Sequence, residues 1–354
     1  MPAESYLDQA AESIESAGRF RLLRANSLTP KAPDWLIQDR LEVDTLALLF
    51  GDPKTGKSFI AIDHACSVAT GLDFHGHRVE RSPVIYVAGE GHNGIARRLK
   101  AWEIGRAMPL DDAPLFVSEK AARMLDQDSV DGVIEAIDEV AVEHGPPKLI
   151  VLDTLARNFG PGDESSTQDM NEFVAAADRL RTAHGAAVLI VHHTGHGDKQ
   201  RARGSIALKG AIDAEFRVDS DEPGLVRMEC TAMKDAKAAE PLAFALREVG
   251  LGFEDSNGVE VTSAVADPAD YEPPRQRSSR GRGKHQTTAI AELERLHREQ
   301  RQRVEQSGRD PDHAKVSVHD WRLACVEAGV PRNRWYELKD SGIARIEHGF
   351  VYPL

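Results

Sequence analysis

Gly51-Asp52-Pro53-Lys54-Thr55-Gly56-Lys57-Ser58 is a complete G-x-x-x-x-G-K-S phosphate-binding loop, followed directly by Phe59. Its glycines let backbone N–H groups close around phosphates, and the positive end of the helix that follows adds to the attraction. Lys57 can reach β- and γ-phosphates, and Ser58 can hold Mg2+. ATP with Mg2+ is therefore the expected ligand. Two carboxylates complete a hydrolytic set. Glu90 closes Val84-Ile85-Tyr86-Val87-Ala88 and lies between Gly89 and Gly91, a position from which it could take a proton from the attacking water. The same residue would also suit the acidic start of a helix containing Ile95 to Leu99. Asp153 ends Leu149-Ile150-Val151-Leu152, the form of a strand whose aspartate supports the Mg2+ shell through water or Ser58.

Ala187-Val188-Leu189-Ile190-Val191 ends in His192-His193-Thr194-Gly195-His196, where a polar side chain could touch a γ-phosphate. These histidines lack carboxylate or cysteine companions at metal-ligand spacing, so no metal centre is read there. Beyond them, the exposed basic run Lys199, Arg201, Arg203 suits either a nucleic-acid backbone or plain solvation.

Chemistry at these positions needs elements that bring them to one rim. Thr45 to Phe50 reads as a buried strand and Phe59 to Ala65 as the start of a helix, the context a phosphate loop requires. Residues 84–88, 149–152 and 187–191 read as further buried strands, with helices over 131–144 and 169–184 between them. Strands alternating with helices predict a mostly parallel sheet whose strand ends carry the ligand. Arg157 to Gln168, polar and glycine-rich, reads as a loop. Leu225 to Thr231 and Leu242 to Val249 read as edge strands.

The 354 residues suggest about two domains. Three widely spaced cysteines fit a reducing compartment, and no apolar run approaches a membrane span, so a soluble cytoplasmic protein without membrane contact is expected. The net charge of −13 is uneven: residues 275–354 hold 16 Lys/Arg against 11 Asp/Glu. A basic tail on an acidic body points to nucleic acid or to a solvated surface. The expected division is an N-terminal helical segment over 1–30, a core over 31–255, a basic flexible linker over 256–286 and a small domain over 287–354. In the last, helices over 288–305, 318–327 and 332–339 and a hairpin over 344–352 suggest a winged helix-turn-helix. Trp321, Trp335 and Leu338 would form its core. Arg332 and Arg334 would face DNA, unless the module docks protein instead.

The order of phosphate loop, V-I-Y-V-A-G-E-G, L-I-V-L-D-T-L-A-R, V-L-I-V-H-H-T-G and R-G-S-I-A-L-K-G-A resembles RepA-like replicative helicase ATPases of plasmids and phages, relatives of the DnaB type. The resemblance covers roughly residues 35–248. It implies a RecA-like P-loop ATPase core, a hexameric ring with ATP between subunits, single-stranded DNA in the channel, and a replication initiator or primase as further partner. On that pattern Glu90 is similar to the catalytic glutamate, Asp153 to the Mg2+-supporting acid, and His192 or His193 to the γ-phosphate sensor, His193 being favoured. Gly91 departs from the pattern, since many relatives carry an acid there. Candidates for a cation acting across a subunit boundary are Arg203, Lys209, Lys234 and Lys237. Ala236 and Asp213 stand where relatives tend to place an arginine. Two other classes stay open: an ATP-dependent DNA-binding protein that is no motor, as a recombination mediator or replication regulator would be, and a small-molecule kinase.

Overall fold

A computed structural model describes residues 22–89, 91–194, 206–222, 224–270, 283–307, 310, 314–339, 343–347 and 349–352. The chain divides into two compact units, residues 1–271 and 272–354. Glu90, Lys199, Arg201 and Arg203 lie outside the described residues, as do residues 1–21 of the expected N-terminal helix. Of the remainder of that segment, Ala25–Ser27 forms a single 3-10 turn.

In the first unit, β1 (Trp35–Ile37) and β2 (Leu41–Glu42) make a small antiparallel pair. β3 (Leu46–Gly51) leads through the phosphate loop into α1 (Lys57–Thr70). There follow β4 (Val84–Ala88), α2 (His92–Arg106), β5 (Leu115–Val117), α3 (Gln127–His144), β6 (Leu149–Asp153), the short α4 (Leu155–Asn158), α5 (Thr167–His184), β7 (Ala187–His193) and α6 (Ile206–Ala211). β8 (Ala214–Glu222), β9 (Leu225–Met233), β10 (Leu242–Glu254) and β11 (Glu260–Ala269) complete the unit. One nine-stranded sheet among the described residues runs β11-β10-β9-β8-β3-β7-β6-β4-β5. From β8 to β5 it is parallel, and from β8 to β11 antiparallel.

The parallel strands read as continuous apolar runs because both faces are covered. Alternation divides them: Ala47, Leu49, Tyr86, Val151 and Val191 pack with α1 and α2, while Leu48, Phe50, Val87, Leu152 and Ile190 pack with α3 and α5.

Several boundaries differ from expectation. β11 occupies part of the span expected as linker, pairing along β10 from Ala243↔Ala269 to Glu254↔Glu260. Its half-exposed, polar pattern is that of an edge strand, the place where Pro268 is tolerated. At the other end, Lys284 to Gln286 are already helical. Arg157 and Asn158 belong to the helical turn α4, not to a loop. Asn158 holds that turn by donating to the carbonyls of Val87 (3.4 Å) and Thr154 (3.1 Å) and accepting from Ala122 N (2.9 Å). α5 starts at Thr167, one residue after its cap Ser166, whose hydroxyl accepts from Asp169 N.

The second unit contains α7 (Lys284–Gln306), β12 (Val316–Ser317), α8 (Val318–Glu327), α9 (Trp335–Lys339), β13 (Arg345–Glu347) and β14 (Phe350–Tyr352), its strands ordered β12-β14-β13. Trp321 and Trp335 meet edge to face at 4.8 Å in its core, beside Leu338, and Trp321 Nε1 donates to Ala289 O (2.7 Å). α9 begins later than expected. Arg332 and Arg334 occupy the turn before it, with Arg334 N bonded to Pro331 O.

Candidate nucleotide site

The C-terminal edge of the parallel strands gathers the polar residues. Gly51 is in register with His193, Val191 with Asp153, and Asp153 with Ala88. β7 therefore separates the loop-bearing strand β3 from β6 and brings its own histidines between the loop and the acid. Strand alternation puts His193 on the same face as Gly51, Asp153 and α1, and the fully buried His192 on the opposite face.

The loop is built for anions. α1 is capped by Gly56 at φ 90°, with no side-chain cap and no acid in its first turn, whereas Ser166 and Ser317 cap α5 and α8. A Cβ at Gly51 would lie 2.0 Å from Val218 O, so only glycine fits beside β8. Thr55 Oγ1 donates to Asp52 O (2.8 Å), and Thr194 donates to the loop twice: its N–H to Gly51 O (3.1 Å) and its hydroxyl to the Asp52 carboxylate. Thr194 thus ties the end of β7 to the loop.

Lys57 is 5% exposed, and its ammonium donates to Gly51 O (2.9 Å) and Asp52 O (2.6 Å). Burial pushes its pKa down to about 8, with Asp153 and Asp52 pulling the other way. A phosphate would supply the anion this buried cation lacks and raise the pKa again. Affinity is then full below pH 8 and falls as pH rises from there toward the bound-state value, by about tenfold per unit. Titrating nucleotide Kd from pH 7 to pH 10 checks this, and a flat profile would contradict it.

Asp153 is buried, and its Oδ2 accepts from the Tyr86 hydroxyl at 2.5 Å. Burial drives the tyrosine pKa well above its ordinary value, with the Asp153 charge adding to it, so Tyr86 stays a donor. Tyr86 and Thr194 are the site residues that sequence reasoning missed. A lone hydroxyl in the otherwise apolar run 84–88 was the available signal, since a buried tyrosine O–H needs a partner. Tyr86→Phe removes a hydrogen bond to a charged acceptor and is expected to cost about 1.5–3 kcal/mol of stability. A denaturant titration with an unchanged midpoint would remove that bond from the account.

The residues fit a triphosphate with Mg2+: amides and a buried ammonium for phosphate, Ser58 in the first turn of α1 and Asp153 on the same sheet face for the metal. Of the candidate cations for a neighbouring site, the described ones, Lys209, Lys234 and Lys237, lie elsewhere. Lys209, on α6, is 3.7 Å from Glu215. Lys234 pairs with Asp213 (3.0 Å), which also accepts from Leu46 N (2.9 Å) at the start of β3, the sheet edge opposite the loop. Asp213 thus anchors β3 at a position where the resemblance leads one to expect an arginine. Lys237 pairs with Glu240 (3.3 Å) on the surface. In the second unit Arg332 is exposed, and Arg334 pairs with Glu337 (2.8 Å).

No helix among the described residues is long and apolar enough to cross a membrane. No curated protein matches the chain. Among solved structures, that of a RadB recombinase is similar over 58% of this chain and 89% of its own, at 13% identity and a TM-score of 0.43. A family model described as an AAA domain matches residues 16–199, more than half of the sequence and the whole span from before β1 to beyond β7. With a phosphate loop, a strand-end aspartate and a polar strand end meeting at one edge of a parallel sheet, the chain belongs to the AAA domain family of P-loop ATPases.

Proposed function

We propose that the protein is an ATP-hydrolysing motor on single-stranded DNA, a ring-forming replicative helicase of the RepA-like, RecA-fold type. The observation that carries the nucleotide half of this reading is the meeting of Lys57, Ser58, Asp153 and His193 on one face and one edge of the sheet. Lys57 exchanges the carbonyls of Gly51 and Asp52 for the β- and γ-phosphates. Ser58 and Asp153 would hold Mg2+, whose charge would offset that building on the phosphoryl oxygens. Tyr86 keeps the Asp153 carboxylate oriented, and His193 reports the γ-phosphate. Glu90 takes the proton of the attacking water.

The DNA half is supported by the ordered motifs of the core and by the basic tail. Lys199, Arg201 and Arg203 would follow the strand backbone in the ring channel, and Arg332 and Arg334 in a winged helix-turn-helix would add a second contact. A hexamer places each ATP between subunits, so that Arg203, Lys209, Lys234 or Lys237 of one subunit would stabilise the transferring phosphoryl group on the next. An initiator or primase would be its replication partner.

Displacement of a labelled strand from a forked duplex tests the motor reading. Unwinding is expected only with ATP and Mg2+. Binding of the fork without displacement would identify the non-motor alternative, and turnover indifferent to single-stranded DNA would point to a small-molecule kinase.

A further inference from the structure

A buried polar seam joins the phosphate-loop helix α1 to α2, the helix that follows residue 90 in the chain. Asp63, on α1, is 2% exposed. Its Oδ1 accepts from Trp102 Nε1 of α2 at 2.6 Å, and its Oδ2 lies 2.5 Å from His75 Nε2 and 3.3 Å from Arg106 Nη2, also of α2. Burial works to raise the Asp63 pKa, but His75, Arg106 and Trp102 outweigh it and hold the carboxyl below its ordinary range. One turn nearer the loop, the Arg98 guanidinium of α2 sits 5.2 Å from the centre of the Phe59 ring. Arg106 continues to Ala266 O (2.6 Å) and Asp267 (3.6 Å), so the far end of α2 is tied to β11.

The spacing of these contacts has a geometric consequence. Phe59 and Asp63 are four residues apart on α1, and their partners Arg98 and Trp102 are four apart on α2. Equal steps mean that the two helices run in the same direction in register. Counting back from these two pairs, α2 begins four residues further out than α1, about 6 Å at the helical rise. The start of α2 at Gly91 therefore overhangs the phosphate loop by about one turn, and the seam sets by how much.

We propose that Asp63 is a positioning residue for hydrolysis: through Trp102 and Arg106 it fixes the height of α2 against α1, and so the height of Gly91, the residue that follows Glu90 in the chain. The inference rests on the reading of Glu90 as proton acceptor. A network of buried, fully engaged charge suits this task, because it admits one register and resists sliding in a way that apolar packing alone does not. Substitution should then lower turnover at the bound nucleotide and leave nucleotide affinity in place, since Lys57 and the loop amides are untouched.

The test uses the full-length protein with Asp63→Asn, Trp102→Phe and Glu90→Gln, alone and combined, measuring ATP affinity, bound nucleotide per chain and single-turnover hydrolysis. Asp63→Asn is expected to lower hydrolysis per bound nucleotide by about 10²-fold, the scale of a 1 Å misplacement. Trp102→Phe, which deletes the N–H donor and shrinks the buried indole to a phenyl ring, should lower it by about tenfold. Kd should stay within about threefold of the parent in both. Added to Glu90→Gln, neither should reduce the residual rate further, a non-additivity that a merely structural role would not produce. Unchanged hydrolysis per bound nucleotide in Asp63→Asn and Trp102→Phe, beside an inactive Glu90→Gln, would overturn the seam and spare the reading of residue 90. Losses that track Kd, or that multiply on the Glu90→Gln background, would also overturn it. Unchanged turnover in Glu90→Gln alone would instead remove residue 90 from the chemistry.

Discussion

Glu90→Gln protein is expected to bind ATP as tightly as the parent and to hydrolyse it about 10²- to 10⁴-fold more slowly, the range a positioned general base contributes. The amide keeps the shape and hydrogen-bonding size of the carboxylate and removes only its capacity to accept a proton. Binding should survive because the proposed function puts affinity in the loop amides, Lys57 and the proposed Mg2+ ligands Ser58 and Asp153. Such a change lowers kcat and leaves nucleotide Kd alone, the signature of a group that acts in the transition state. Strand displacement should disappear with turnover, while nucleotide-dependent assembly on DNA persists. Equal turnover in parent and variant would take the proton-accepting role from this residue.

Lys57→Ala should instead lose binding itself. The ammonium sits 5% exposed among the carbonyls of Gly51 and Asp52, already desolvated and poised to exchange them for phosphate oxygens. Removing one partner of such a buried charged contact costs about 2–5 kcal/mol. That corresponds to about 30- to 4,000-fold in Kd at 1.4 kcal/mol per decade. Isothermal titration with ATP and Mg2+ reads the loss directly. Because free Lys57 is a cation held in a poorly solvated place, the variant should not be less stable than the parent without nucleotide. Retained affinity, or a fall in the melting temperature of the nucleotide-free protein, would mean that Lys57 serves the fold and not the ligand.

The buried strands were the most legible part of the chain. Val84 to Ala88, Leu149 to Leu152 and Ala187 to Val191 are covered on both faces, so their apolar runs stand out from any neighbouring segment. The phosphate loop was legible for a different reason: its spacing of glycines, lysine and serine is a motif in itself, and Gly51 in addition has no room for a Cβ beside β8. β11 was not. Ser263, Asp267 and Pro268 belong to a strand that buries one face and leaves one edge open, a composition that also reads as linker. The third helix of the second unit begins three residues later than the residue after Pro331, a proline that suits a helix start, because the chain makes one turn first.

Side-chain partnerships across the fold were out of reach for a related reason. The Tyr86–Asp153 bond joins positions 67 apart, and the Asp63–Trp102 bond positions 39 apart. Neither spacing repeats along the chain, and in the sequence Asp63 is one polar residue in a helix with no visible reason to be buried. Only the sheet order, which packs α1 and α2 on one face, brings that seam into being. His192 and His193 likewise stand on opposite faces of the sheet only through the alternation of β7.

A crystal structure of the full-length protein with Mg2+ and a non-hydrolysable ATP analogue tests the convergence of the site most directly. Lys57 Nζ should have left Gly51 O and Asp52 O for the β- and γ-phosphates, with Mg2+ on Ser58 Oγ, Asp153 in its shell and His193 facing the γ-phosphate. Triphosphate bound away from this strand edge, with Lys57 still on the two carbonyls, would contradict the account.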